Sequence, residues 1–276
     1  MNEPATEGGP ATGDEAHVPS PARMYDYILG GKDNFETDRE RVDAAERAYP
    51  GIKEAARINR MLLLRMARYF GEHTGVDQFI DVGTGIPTEP NYHQVVQAAR
   101  PEARILCTDF SKTVLRYTEN LAAQDPEGRI SYVHADVREP EKILDAARAH
   151  LDLSRPVAMT MVALLHFISD EFDPHGIVKT LTDALAPGSY LAISQVTGDF
   201  DAEGGDGVVR VYRAGGTPAQ VRSYDEVARF FDGFELVAPG LVVAPRWHPE
   251  LAVPMPWPEP AGSDRTPVYA AIGRKR

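Results

Sequence analysis

Three aspartates stand at the ends of three successive apolar runs. Asp81 lies in "QFIDV" just ahead of Gly83 and Gly85, Asp109 follows "RILCT", and Asp136 follows "ISYVHA". If these runs are parallel strands, their carboxyl ends are where an open α/β sheet holds its ligand. Glycines at 83 and 85 let the backbone pass close to that ligand with no Cβ in the way. Asp109, 24 residues after Gly85, is placed to accept hydrogen bonds from ribose hydroxyls. Asp136 is placed to accept from the exocyclic amine of an adenine. Any one of them has a plainer explanation, since an Asp at a strand end often only caps a helix. Three in order, at the spacing of successive βα units, make a site.

The turn "DVGTGIPTEP" (81–90) departs from a dinucleotide loop. There, a third glycine lets the following helix meet the pyrophosphate with its N-terminus. Here Pro87 and Pro90 intervene, so the helix starts no earlier than Asn91, a good N-cap. A helix end held back in this way suits a cofactor without a pyrophosphate. S-adenosylmethionine is one, and its sulfonium and ammonium charges tolerate Asp81 where a diphosphate would be repelled.

The elements that must position these residues follow from periodicity. Residues 21–75 read as three helices. "SPARMYDYIL" has Pro21 after Ser20 and stops at Gly30-Gly31, a second helix covers about 35–48, and the third, "IKEAARINRMLLLRMARYFGEH", carries an apolar stripe. From residue 78 short apolar runs alternate with helical ones: "QFIDV", "RILCT", "ISYVHA", "VAMTMVALL" and "SYLAISQV". That alternation predicts parallel strands with crossover helices, covered on both faces. After residue 196 the rhythm breaks. A polar, Gly-rich stretch (198–207) leads to a helix at about 223–231, then "FELV", a Pro- and Trp-rich loop with "PRWHP", and a last strand "PVYAAIG", so two late strands close the sheet as a hairpin.

Bulk properties exclude several classes. The chain has 276 residues, enough for one large domain with an extension. Its formal net charge of −12 supplies no positive field for nucleic acid or an anionic membrane. A lone cysteine, Cys107, forbids an intrachain disulfide, gives no metal-site spacing and reads as a buried inert thiol. Residues 1–20 are acidic and rich in Gly, Pro and Ala, with no signal-peptide core, and are expected to be a disordered tail on a cytoplasmic protein.

Several stretches carry a closer likeness: "ARMYDYILGGKDNFETDRE" (22–40), "DVGTGIPTEPNYH" (81–93), "TDFSKTVL" (108–115), "ADVREPEKIL" (135–144), "LLHFISD" (164–170), "LAPGSYLAIS" (185–194) and "FFDGFELVAPGLVVAPRWHP" (230–249). Through them the chain resembles class I S-adenosylmethionine-dependent methyltransferases, and within these the actinobacterial S-adenosyl methyltransferase family of unassigned substrate. The resemblance implies a Rossmann-like seven-stranded, mostly parallel sheet of order 3-2-1-4-5-7-6 with helices on both faces. It also implies a helical N-terminal extension or lid (21–75) on a cofactor-binding domain (76–276). The implied cofactor site is Asp81, Gly83, Thr84, Gly85, Asp109, Asp136 and Val137, with no metal. Members often end the second strand in an "NDP"-like turn, whereas this chain has Asp109-Phe110-Ser111. Phe110 then becomes the neighbour of the adenine face.

Helical spacing sets Arg23 and Tyr27 on one face of the first helix, with Asn34 just beyond its end. Taken alone, this is a capped surface helix with a solvated Lys-Asp pair. The resemblance favours instead a segment folded over the cofactor, Tyr27 or Asn34 touching its methionine part. A base is needed only for an acceptor that must lose a proton. His93, His166 and Tyr212 are candidates by position, each with an ordinary structural alternative. The acceptor, expected to be a small molecule, and the oligomeric state are left open. Two other functions stay in view: a non-catalytic sensor of S-adenosylmethionine or S-adenosylhomocysteine, and a nucleotide-dependent oxidoreductase, which the missing glycine opposes.

Overall fold

The computed structural model describes residues 18–123, 125, 127–257, 260 and 262–276. Of the expected tail, residues 1–17 lie outside the described residues. Val18 and Ser20 do not behave as tail: the Val18 carbonyl accepts from Arg23 and the Ser20 N–H donates to Asp38.

Helices α1 (Pro21–Ile28), α2 (Glu36–Ala48) and α3 (Ile52–His73) come first. Then β1 (Gln78–Val82), α4 (Tyr92–Ala99), β2 (Arg104–Asp109), α5 (Lys112–Ala123), β3 (Ile130–His134), α6 (Pro140–His150), β4 (Ala158–Met161), α7 (Pro174–Asp183) and β5 (Tyr190–Val196) alternate as expected. The chain ends with α8 (Ala202–Ala214), α9 (Tyr224–Ala228), β6 (Phe234–Leu236), β7 (Val242–Val243) and β8 (Val268–Lys275).

The sheet runs β3-β2-β1-β4-β5-β8-β6. β1 to β5 are parallel, and β8 is antiparallel to both β5 and β6. This is the expected order with one addition, the two-residue β7, which pairs with β8. Two valines between Gly240 and Pro245 are too short a run to show a period of two.

The strands alternate their side chains between two covered faces. Ile80, Leu106, Met159 and Ile193 pack under α6 and α7 with Ile143 and Leu181. Their chain neighbours Phe79, Ile105, Ala158 and Ala192 pack on the other face with Leu62, Met66 and Phe70 of α3, Val96 of α4, and the fully buried Trp247. Each fully buried side chain of this size contributes about 1.5–3 kcal/mol, which is why near-continuous apolar runs form the centre of the sheet.

α8 occupies the segment expected to be an irregular polar stretch. Gly204, Gly205 and Gly207 each cost a helix roughly 1 kcal/mol relative to Ala, so local propensity argues against it. Packing overrides that cost. A Cβ on Gly204 would stand 2.4 Å from the Tyr49 ring, and one on Gly207 would stand 3.3 Å from the Ala48 Cβ. The glycines thus let α8 lie close on the end of α2, and Asp201 caps it by accepting from the Gly204 N–H at 3.0 Å.

The loop after β4 is fixed from beneath by Arg222, whose side chain is 1% exposed. Its guanidinium donates to the Leu165 and Ile168 carbonyls, each at 2.8 Å, and to Asp170 Oδ1 at 2.8 Å. Arg222→Met, which leaves the Ile168 carbonyl unpaired and takes from the Leu165 carbonyl one of its two donors, is expected to destabilise the fold by about 3 kcal/mol in urea denaturation. Asp170→Asn, at a carboxylate that is 61% exposed, is expected to cost under about 1 kcal/mol. Equal losses would mean that the exposed ion pair, and not the carbonyls, holds the loop.

Candidate active site

At the carboxyl ends of β1, β2 and β3 lies a cavity of about 700 Å³, well within the roughly 300–1,000 Å³ of small-molecule sites. One wall is the turn after β1. Gly83 (φ 76°) and Gly85 (φ 70°) take left-handed conformations, which glycine adopts without a steric penalty. The Gly83 and Thr84 N–H groups both donate to the Thr108 carbonyl, at 2.8 and 3.0 Å. Gly85 N–H donates to Asp109 Oδ2 at 2.9 Å, and Ser111 N–H to Asp109 Oδ1 at 2.8 Å. The turn is therefore stitched to the end of β2, and Asp109 does much of the stitching. Helix α4 begins at Tyr92, with Asn91 as N-cap. Gln94 Oε1 accepts from the Asn91 N–H at 2.6 Å, and Asn91 Oδ1 from the Thr88 N–H at 3.0 Å.

Gly83, Thr84, Gly85, Asp109, Phe110, Asp136 and Val137 all line the cavity. Phe110 is 55% exposed at its rim, while Val137 is buried. Gly83 works differently from the expected close approach to a ligand. The place of its missing Cβ is filled from the protein side, 2.9 Å from Leu164 Cδ1, whereas a Cβ on Gly85 would meet no protein atom within 4 Å. Asp136 is already engaged by Arg138, which donates from Nε to both carboxylate oxygens at 3.0 Å. Burial works to raise the Asp136 carboxyl, but the Arg138 hydrogen bonds prevail and hold it below the usual range.

Asp81 does not line the large cavity. It faces a small space of about 10 Å³ beneath the turn, shared with Arg60, Thr84, Tyr92 and His93, which is room for one water molecule. Thr160 Oγ1 donates to it at 2.6 Å. Burial raises the Asp81 carboxyl, offset in part by Thr160, Thr84 and Arg60. Asp109 is likewise raised by burial, against the Ser111 and Gly85 N–H groups.

The roof is α1, through Pro21, Ala22, Arg23, Tyr25, Asp26 and Leu29. Arg23 donates from Nε to Asp38 Oδ2 at 2.7 Å, both side chains buried. Two other expected contacts are not on the cavity wall. Tyr27 turns toward α3, its ring under Lys53 Nζ at 5.4 Å. Asn34 donates from Nδ2 to Asp26 Oδ2 at 2.8 Å and accepts from Arg39 at 2.9 Å. It holds Asp26, which does reach the cavity and which the sequence does not single out among many surface acids.

The candidate bases separate as well. His93 lies beside the small space, 3.4 Å from the Tyr132 hydroxyl, and burial lowers its pKa. His166 and Tyr212 line a second, apolar chamber. Arg60, from the middle of α3, lines the large cavity; it lies off the apolar stripe of Ile58, Leu62, Met66 and Phe70, and the sequence does not single it out among the arginines of that helix. Its terminal nitrogen donates to the carbonyls of Thr88 and Pro90, the latter at 2.8 Å, while its buried Nε has no hydrogen-bond partner.

A family model for S-adenosyl methyltransferases matches residues 10–276. The chain belongs to the S-adenosyl methyltransferase family. Among solved structures, a DUF574 family protein from Streptomyces avermitilis is 40% identical, with a TM-score of 0.88 over 95% of this chain and 99% of that one. A provisionally assigned methyltransferase from Thermobifida fusca is 38% identical, with a TM-score of 0.85 over 94% of this chain and 96% of that one. A comparison with curated proteins finds no match. S-adenosylmethionine is the cofactor of this S-adenosyl methyltransferase. The cavity fits it: the open position at Gly85, the strand-end acids and the unpartnered Arg60 Nε offer sites for a sugar, a cation and a carboxylate.

Because burial raises the Asp81 carboxyl, its ionised form is penalised in the fold. That penalty is complete above the raised pKa and disappears as pH falls below the ordinary carboxylate value. Asp81→Asn is therefore expected to raise the melting temperature of the ligand-free protein at pH 7, with the gain shrinking toward pH 4. A pH-independent difference in thermal melts would rule this out.

Proposed function

We propose that this chain transfers a methyl group from S-adenosylmethionine to a small-molecule acceptor, with Asp109 receiving the ribose hydroxyls. The observation that carries the proposal is that the cofactor turn and the adjoining loop after β4 line one cavity roofed by α1. S-adenosylmethionine supplies a methyl group on a positively charged sulfur, and holding two reactants in line provides much of the rate enhancement. Phe110 and Val137 flank the adenine, and Asp136, steadied by Arg138, borders it. Arg60 Nε meets the cofactor's carboxylate, and Asp81 attracts its ammonium across the small space beneath the turn. Residues 21–75 act as a lid on the unit formed by residues 76–276. Tyr27 and Asn34 support that lid from behind and do not touch the cofactor. No described helix is long and apolar enough to cross a membrane, and the buried Cys107 is in keeping with the reducing cytoplasm. The loop after β4, which lines both the cavity and the chamber beside it, supports catalysis over a purely sensory role, which no specific observation favours.

In calorimetry, S-adenosylmethionine and S-adenosylhomocysteine are expected to bind and NAD is not. Asp109→Ala is expected to weaken both by about 10- to 100-fold, from the loss of hydrogen bonds to a charged acceptor. Arg60→Met is expected to weaken both while leaving 5′-methylthioadenosine, which lacks the amino-acid part, unchanged. With methyl-labelled cofactor and a cell extract, label should enter the low-molecular-mass fraction. Label confined to macromolecules would overturn the acceptor class, and binding of NAD alone would overturn the cofactor assignment.

A further inference from the structure

We propose that the acceptor is an uncharged, ring-bearing molecule with a free hydroxyl, and that the second chamber receives its ring edge and that hydroxyl. This rests on the methyltransferase proposal above and adds the chemistry of the substrate. The chamber measures about 80 Å³ and lies between α1, α3, α8 and the end of β5. It shares Pro21, Tyr25, Ala163 and Phe167 with the large cavity, so the two spaces meet along the loop after β4.

Its walls select by polarity. Ile28, Ile52, Val208, Val209 and Val221 give it an apolar surface, and His166 is its sole titratable wall besides the two tyrosines. Burial, reinforced by Arg222, lowers His166 to about 3, so the imidazole is neutral near pH 7. Moving a carboxylate, phosphate or ammonium into such walls is strongly unfavourable without a countercharge. The same walls are rich in rings. His166 and Phe167 have centroids 4.3 Å apart at 56°, and Phe167 and Tyr212 5.6 Å apart at 42°. Edge and offset geometries of this kind also suit an incoming ring.

Two polar atoms show what that ring carries. Asn59 Oδ1 and His166 Nδ1 are buried, belong to residues that line the chamber, and have no hydrogen-bond partner. Each such group costs roughly 1–3 kcal/mol while unpaired. An amide oxygen is an acceptor, and so is the imidazole Nδ1 when the hydrogen sits on Nε2. In that tautomer either atom is satisfied by a ligand that donates, and one hydroxyl, with its single hydrogen, satisfies one of them. A hydroxyl donates while staying neutral; a ketone or an ether cannot donate, and an aliphatic amine arrives charged. The chamber has about half the roughly 150 Å³ of an apolar cavity that binds benzene. It therefore takes one edge of a ring while the remainder lies along Phe167 in the larger cavity.

The test is calorimetry of the protein saturated with S-adenosylhomocysteine, using p-cresol, toluene and 4-methylbenzoate as probes. p-Cresol is expected to bind about tenfold more tightly than toluene, the worth of one hydrogen bond to an otherwise unpaired group, and 4-methylbenzoate not measurably. His166→Phe should bring p-cresol to the affinity of toluene. Val209→Phe and, independently, Ala219→Leu fill the chamber and should each weaken p-cresol at least tenfold with S-adenosylhomocysteine binding unchanged, which also reports that the variant is folded. Absent p-cresol binding, equal affinity for p-cresol and toluene, or indifference to both filling variants would overturn the proposal with the cofactor assignment intact. Failure of S-adenosylhomocysteine to bind would overturn both.

Discussion

The carboxylate of Asp38, fully buried, holds the site together. It accepts from the Ser20 N–H at 2.8 Å, the Phe35 N–H at 2.9 Å and Arg23 Nε at 2.7 Å. One side chain at the start of α2 thereby fixes where α1 begins, how its first turn is oriented and where the connection to α2 returns. Such a pair is a poor source of net stability, because desolvating two charges nearly cancels their attraction. Its worth is geometric. Breaking it would leave an uncompensated charge in the interior, so α1 has one seat, over the strand ends. The Arg23 guanidinium also lies 5.0 Å above the Phe35 ring, which makes the roof and its return loop a single packed unit.

Under that roof the balance of charge is unusual for a protein interior. Burial raises the carboxyls of Asp26 and Asp109 on the large cavity and of Asp81 beneath the turn, while Arg60, which lines both spaces, is itself lowered by burial. Groups held against their solvation preference are a common feature of functional sites. In the proposed function they meet a cofactor that carries a sulfonium, an ammonium and a carboxylate. A ligand that binds the folded chain and not the unfolded one adds to its stability.

The parts of this arrangement legible in the sequence are those with local causes. Strand ends, Asp109, the glycines and the N-cap at Asn91 follow from short-range rules, because a βα turn is built from consecutive residues. The parts that were not legible have distant causes. Arg60 is one of several arginines off the apolar stripe of α3 and becomes a cavity residue only through contact with the carbonyls of Thr88 and Pro90. Helix α8 depends on the close approach of α2, about 160 residues earlier in the chain. Tyr27 and Asn34 have the right composition and the right segment, but whether a helical residue faces a cavity or the neighbouring helix depends on the rotation of the whole helix. That rotation is set by Asp38.

The missing side chain at Gly83 has an evolutionary consequence. Leu164 enters the space a Cβ would need, so the turn that follows β1 and the loop that follows β4 lock as a knob in a hole. A lineage changing its acceptor would be free to diversify the chamber-facing positions of that loop, such as 163, 166 and 167. Position 164 is not free in the same way: a larger residue would push on the cofactor turn, and a smaller one would loosen it. New substrate ranges should therefore arise around a conserved pair, Gly83 with a branched aliphatic partner, in chains whose neighbouring residues have diverged.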